Sequence, residues 1–228
     1  TTSKQRVQGE AIVNILGARV AGFFDQAMMH VPVDTLEAAT EMAKSLEVDC
    51  TVALGGGSTT GLGKALAARE GIANIVLPTS YAGSEMTDIW AVTAAGRKVT
   101  TRDPAVVPTL TIYDPRLTLT LPSKFVAVSG LNAMAQAVVN VATDKANPII
   151  SILALDGIKA LAHSLPLIIN EPDNIDARAA ALYGASMAGA ALGTGSTSLH
   201  HRLCHTFGGT FGTPHAETHA ILLPHSVA

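Results

Sequence analysis

Cys50-Thr51-Val52-Ala53-Leu54-Gly55-Gly56-Gly57-Ser58-Thr59-Thr60-Gly61-Leu62-Gly63-Lys64 is the stretch whose reading decides the fold. An apolar run of strand length stops at three consecutive glycines, and a helical pattern resumes through Lys64 to Arg69. Glycines let a backbone approach a ligand closely, and a helix N-terminus offers free N–H groups to an anion. The turn therefore reads either as a tight structural corner or as a pyrophosphate site. It is not a Walker loop, because Lys64 is followed by Ala65 and Ser58 stands where that pattern needs its first glycine. It also lacks the G-x-G-x-x-G spacing of the dinucleotide fingerprint.

The same alternation continues outward. Ile75-Val76-Leu77 stops at Pro78, and Leu110-Thr111-Ile112-Tyr113 stops at Asp114-Pro115. Upstream, Lys4 to about Phe24 reads as a helix, with Val7, Ala11, Ile12 and Ile15 at helical spacing. A second helix opens at Asp34-Thr35-Leu36-Glu37, with Asp34 as its expected N-cap. Short buried strands alternating with helices predict a parallel α/β sheet. From Pro122 onward the pattern changes to Ala-rich helices over Lys124–Ala142, Pro148–Ser164 and Asn174–Leu192, with no convincing strand. The expected organisation is a dinucleotide-type α/β domain over 1–118 followed by an all-α domain over 119–228.

Bulk composition narrows the function classes. Hydrophobic residues make up 48% and charged residues 14%, which describes a core-building chain. A net charge of −3 argues against nucleic acid as a partner, since phosphate binding needs a basic face. The first residues have no signal-peptide shape, and no apolar run reaches the length that spans a bilayer. Cys50 and Cys204 read as free thiols of a reducing, cytoplasmic protein.

Leu77-Pro78-Thr79-Ser80-Tyr81-Ala82-Gly83-Ser84-Glu85 follows another strand and carries hydroxyl donors around a glycine. Open α/β sheets bind ligands beyond their strand ends, so two such loops point to a cofactor cleft more strongly than one. Of the 8 histidines, six fall between residues 200 and 225. His201 and His205 share a helix face, and His215 can return to that face after Gly208-Gly209 and Thr213-Pro214. The cluster suits metal binding or acid–base work; the alternative is a polar, solvated face. Asn132 and Gln136 also share a helix face, but amide oxygens are weak ligands for a divalent transition metal.

Taken together, Gly55–Ser58, Pro78–Glu85, Tyr113-Asp114-Pro115, Gly130-Leu131-Asn132-Ala133 and His200–His225 resemble the iron-containing alcohol dehydrogenase superfamily. Ser58-Thr59-Thr60-Gly61-Leu62-Gly63-Lys64, His200-His201-Arg202-Leu203-Cys204-His205 and Pro214-His215-Ala216-Glu217-Thr218-His219 are similar to its maleylacetate reductase branch. The resemblance implies a dehydroquinate synthase-like fold, a nucleotide-binding α/β domain and a helical domain with the site between them. It also implies NADH or NADPH as cofactor, held by Gly56, Gly57, Ser58, Thr79, Ser80, Ser84 and Lys98. His201 and His215 fall on two metal-ligand positions of the metal-dependent relatives, and Asn132 and Gln136 fall on the other two. Gln136 departs from the branch, which usually has histidine there. A metal is therefore expected to be absent, with His201, His205 and His215 catalytic and Asn132, Gln136 and Arg202 facing a small dicarboxylate substrate. Arg202 reads equally well as a surface residue.

The implied reaction is reduction of the maleylacetate C=C bond in aromatic catabolism, by a homodimer without nucleic-acid or membrane partners. A metal-dependent alcohol dehydrogenase and an inactive, shortened relative acting as a binding or assembly protein are the alternatives. Family members extend beyond both ends of this sequence, so the first strand of the nucleotide domain and helices after Ala228 are expected to be missing.

Overall fold

The computed structural model describes residues 1–141, 147–195 and 199–226. The predicted helix end at Ala142 lies outside the described residues. The chain divides into two compact units, one of Thr1–Thr79 with Asp88–Ile112, the other of Ser80–Thr87 with Tyr113–Ala228. The loop after the second strand thus belongs with the helices, where the sequence pattern keeps it in the first domain.

The first unit opens with α1 (Arg6–Leu16) and α2 (Val33–Ser45). The helix predicted over Lys4–Phe24 stops at Leu16 because Gly17 adopts φ +58° and closes it, its N–H donating to Val13 O. Pro32, not Asp34, is the N-cap of α2; Asp34 sits in the first turn, where its charge suits the helix dipole.

β1 (Cys50–Gly55), α3 (Gly57–Glu70) and β2 (Ala73–Pro78) follow, and β1 pairs with β2 in parallel from Cys50↔Ala73 to Gly55↔Pro78. Between them stand the sequences that make the crossover possible. Leu62, Ala65 and Leu66 of α3 pack with Leu36 and Ala39 of α2, and Gly71 ends α3 in the left-handed region. β3 (Ile89–Ala94) and β4 (Arg97–Arg102) form an antiparallel hairpin through a two-residue turn at Ala95-Gly96. β5 (Leu110–Thr111) completes the parallel sheet in the order β1-β2-β5, so β1 is an edge strand. An apolar cleft of about 360 Å³ lies against β1, lined by α1 and α2 residues among others; none of Gly56, Gly57 or Ser58 lines it.

The second unit is built on α4 (Ser123–Val141), α5 (Pro148–Asn170) and α6 (Ile175–Thr194), which pack on one another around Ala133, Ala137, Leu161, Leu165, Ala181 and Ala185. The small residues set the helix spacing: a Cβ on Gly157 would lie 3.0 Å from Gly184 O. α5 continues past the predicted end at Ser164 and through Pro166. An interior proline costs about 3 kcal/mol in a helix, and burial of Leu165 and Ile168 on either side of it offsets that penalty.

At 23 residues α5 is also long and apolar enough to cross a membrane, contrary to the sequence reading. Its Ile150, Ala154, Leu161, Leu165 and Ile168 instead face the helical core. Arg178 of α6, 1% exposed, is held by Pro172 O, Thr118 O and Thr118 Oγ1. α7 (Leu199–Phe211) and α8 (His215–Ser226) close the unit, α8 packing on both α4 and α7.

Candidate functional site

In the first unit the glycine turn is a corner that only glycine can make. Gly55 has φ +155°, and a Cβ there would meet Thr59 Oγ1 at 2.3 Å. Gly56 caps α3 with extended backbone, and no side chain caps the first turn of that helix. Gly57 is exposed and Gly56 and Ser58 are half-buried, so these N–H groups are accessible to an anion.

Thr79 is buried beside this corner. Its N–H donates to Gly55 O at 3.1 Å, and its hydroxyl accepts from Gln5 Nε2 at 2.6 Å. Gln5 had no sequence signal; α1 simply begins next to it. Lys98 lies exposed on β4 opposite Thr93.

In the second unit the loop Ser80–Thr87 is fastened from several sides. Tyr81 is fully buried, its N–H donating to Ser129 Oγ at 3.4 Å and its hydroxyl to Thr118 Oγ1 at 3.3 Å. Burial pushes the Tyr81 phenol above its usual range. The Tyr113 hydroxyl donates to Glu85 Oε1 at 2.9 Å; burial and the carboxylate raise that phenol too. Gly83, at φ +71°, passes so close to α6 that a Cβ on Gly189 would sit 2.3 Å from Gly83 O. Gln136 Nε2 donates to Ala82 O at 3.1 Å. Ser80 and Ser84 are held half-buried in this loop.

Gln136 and Asn132 are 6% and 5% exposed on α4. Neither Gln136 Oε1 nor Asn132 Oδ1 has a hydrogen-bond partner among the described residues. Two buried acceptors left this way are costly unless something binds them.

Among the described residues, His200, His201, His215 and His219 form a largely buried stack, while His225 is exposed. His201 is 5% exposed and His219 fully buried; His215 is half-buried. The His219 ring lies 4.5 Å from His215, 4.8 Å from His201 and 4.9 Å from His200, centroid to centroid and edge to face. His219 is thus the hub, although the sequence drew attention to His201, His205 and His215. The usable signal was the spacing of His215 and His219, one helical turn apart. Arg202 is exposed on α7; His205 is on the same helix, its side chain outside the described set.

Hydrogen bonding fixes the tautomers at one end of the stack. The Ser226 hydroxyl donates to Leu223 O at 3.1 Å, so its oxygen accepts from His200 Nδ1 at 2.7 Å. With the rings neutral, His200 Nε2 then accepts from His219 Nδ1 at 3.0 Å. Desolvation lowers the pKa of His200, which favours this neutral form. Cys204 Sγ lies 3.7 Å from His200 Nε2, and burial pushes its thiol up to about 11. Cys204 is therefore no thiolate nucleophile.

Both parts of the chain match known family patterns. The iron-containing alcohol dehydrogenase family pattern matches residues 2–115, and the C-terminal pattern of the Fe-containing alcohol dehydrogenases matches residues 126–228. The chain belongs to the iron-containing alcohol dehydrogenase family. It is 50% identical over 228 residues to a maleylacetate reductase of Sphingobium indicum, matching 100% of this chain and 65% of that protein. The crystal structure of maleylacetate reductase from Agrobacterium tumefaciens superposes with a TM-score of 0.97 at 49% identity, covering 100% of this chain and 65% of that one. The fold also extends to sulfoacetaldehyde reductase from Bifidobacterium kashiwanohense, solved with NAD+, with a TM-score of 0.90 at 24% identity over 99% of this chain and 66% of that one. The chain thus spans just under two thirds of the length of the two maleylacetate reductases.

The family's metal is poorly served by the residues present. Of the four positions that the resemblance implies, Asn132 and Gln136 contribute neutral amide oxygens, and Gln136 Nε2 is bonded to Ala82 O. The set includes no anionic ligand, and two amides with two imidazoles make a weak site for ferrous iron. The donor set does not fit.

Proposed function

We propose that the protein is a nicotinamide-dependent oxidoreductase that reduces the C=C bond of maleylacetate to give 3-oxoadipate, with no metal at the family position. The observation that carries this reading is the imidazole stack of His200, His201, His215 and His219 on α7 and α8, with α8 packed on α4, which bears two unpartnered amide oxygens. The near-50% identity to a maleylacetate reductase along the whole chain supports the same substrate.

Backbone N–H groups at Gly56, Gly57 and Ser58 would hold the pyrophosphate of a bound dinucleotide. Thr79, Ser80 and Ser84 would line the cofactor, and Lys98 would offer it a positive charge. NADH or NADPH supplies a hydride to the alkene carbon β to the ketone. The alkene electron pair moves toward the ketone oxygen as an enolate, and a proton is delivered to the α carbon. His201 and His215 donate hydrogen bonds to the developing enolate and supply that proton. His205 is assigned to the nicotinamide side.

A conjugate addition of this kind needs oxyanion donors and an acid, which imidazoles provide without a Lewis acid. Asn132 and Gln136, through amide N–H groups, and the exposed Arg202 are assigned to the two carboxylates of the substrate. Aromatic catabolism, a cytoplasmic setting and a homodimer belong to the same proposal. The alcohol dehydrogenase alternative asks for a metal on the alkoxide, which the donor set disfavours. The inactive-relative alternative has no observation of its own.

The test is the position of the transferred hydride. With cofactor deuterated at nicotinamide C4, the label should appear on the product carbon next to the distal carboxylate, β to the ketone. Label on a carbinol carbon would mean carbonyl reduction and would overturn the assignment.

A further inference from the structure

His200, Cys204 and His219 lie outside the four family metal positions, and together they have the makings of a separate site. All three are buried, at 3%, 1% and 0% exposure, and their candidate ligand atoms lie within 4.8 Å of one another. His200 and Cys204 are one turn apart on α7, and His219 reaches them from α8. Two imidazole nitrogens and one sulfur make a donor set of the type zinc prefers.

Distances bear on the fit. Tetrahedral zinc with Zn–N near 2.0 Å and Zn–S near 2.3 Å has N···N edges of about 3.3 Å and N···S edges of about 3.6 Å. The protein has 3.0 Å from His200 Nε2 to His219 Nδ1 and 3.7 Å from His200 Nε2 to Cys204 Sγ. A shift of a few tenths of an ångström would open the triangle. The outer support is also in place. Ser226 Oγ accepts from His200 Nδ1 at 2.7 Å, which leaves Nε2 with its lone pair directed inward. Metal-bound histidines are usually oriented by such a bond at the other ring nitrogen.

We infer that His200 Nε2, Cys204 Sγ and His219 Nδ1 form a three-ligand site for a soft divalent cation of the zinc class, joining α7 to α8 behind His201 and His215. Binding exchanges a proton for the cation. Cys204 releases its thiol proton to solvent, and the neutral His219 ring changes tautomer, its one proton passing from Nδ1 to Nε2 so that Nδ1 presents a lone pair; the net release is one proton per cation. The fourth position is left to water. No oxidation or reduction is involved, and the inference does not depend on the reductase reading.

Cobalt(II) reports thiolate ligation directly. The chelator-treated protein, titrated with cobalt(II), should bind one equivalent and develop a sulfur-to-cobalt charge-transfer band in the near ultraviolet, displaced by zinc. Cys204→Ala should lose the band. His200→Gln and His219→Asn should each weaken binding at least tenfold. Cys50→Ala, which removes the other thiol, and His201→Asn, which removes a family-position imidazole, should keep both the band and the stoichiometry. The inference is overturned if saturating cobalt gives no charge-transfer band in the unmodified protein. It is overturned equally if the band survives Cys204→Ala or disappears with His201→Asn. The unmodified protein decides the matter even if a variant fails to fold, and turnover plays no part in the readout.

Discussion

Replacing Gln136 with methionine sets two effects of known sign against each other. Met has nearly the volume of Gln, so packing on α4 is kept. The bond from Gln136 Nε2 to Ala82 O is lost, leaving a buried carbonyl unpaired at about 1–3 kcal/mol. The same change removes Gln136 Oε1, a buried acceptor without a partner, and relieves a penalty of about 1–3 kcal/mol. The net change in stability should be within about 1 kcal/mol of zero, a Tm shift of no more than about 4 °C at this size. The loop Ser80–Thr87 would nevertheless lose the tether that fixes Ala82 beside Gly83 and Ser84. NADH affinity should then fall roughly five- to tenfold, equivalent to about one hydrogen bond of ordering. Urea denaturation and fluorescence titration with NADH measure the two quantities separately. A stability loss above about 3 kcal/mol would show that Oε1 is engaged in the folded protein. Unchanged NADH affinity would show that the loop does not need the bond, and either result refutes the reasoning.

The other predictions concern the remaining parts of the account. Gly56→Val should raise the apparent Kd for NADH at least tenfold by crowding the α3 N-terminus, read by the same titration. His201→Ala and His215→Ala should lower kcat and kcat/KM together by roughly 10² with little change in NADH binding, as expected for oxyanion donors; parental kcat in both would make the stack structural. Gly189→Ala forces a methyl against Gly83 O and should cost about 1–3 kcal/mol in urea denaturation, with no loss counting against the close approach of loop and helix. His200 has a lowered pKa in the folded state, so the unfolded chain binds its proton first. Its effect is absent above the ordinary histidine pKa of about 6.5 and destabilises as pH falls below it; His200→Gln should flatten that part of the urea midpoint against pH.

Much of the framework was legible because local chemistry and global packing agree. Gly55–Ser58 marks a strand-to-helix corner by composition alone, and Asn174 caps α6 where the sequence started that helix. The β3–β4 hairpin was missed because β4, Arg97-Lys98-Val99-Thr100-Thr101-Arg102, is exposed throughout and shows no apolar alternation. Its turn, Ala95-Gly96, places an alanine at φ +49°, where a hairpin signal would have asparagine. The true end of α5 was hidden by Pro166, since local propensity argues for a stop and only the burial of Leu165 and Ile168 carries the helix on. At the site, the residue types were visible but their convergence was not. His219 meets His200 and His201 only because α8 folds back on α7, and no spacing within one helix encodes those contacts.

Oxidation of NADH in the presence of maleylacetate, run with and without a strong chelator, is the most direct test of the central claim. The account predicts consumption of NADH dependent on maleylacetate, formation of 3-oxoadipate and a rate the chelator does not change, with simple aldehydes giving little turnover. Aldehyde reduction abolished by the chelator and restored by iron, with no turnover of maleylacetate, would contradict it.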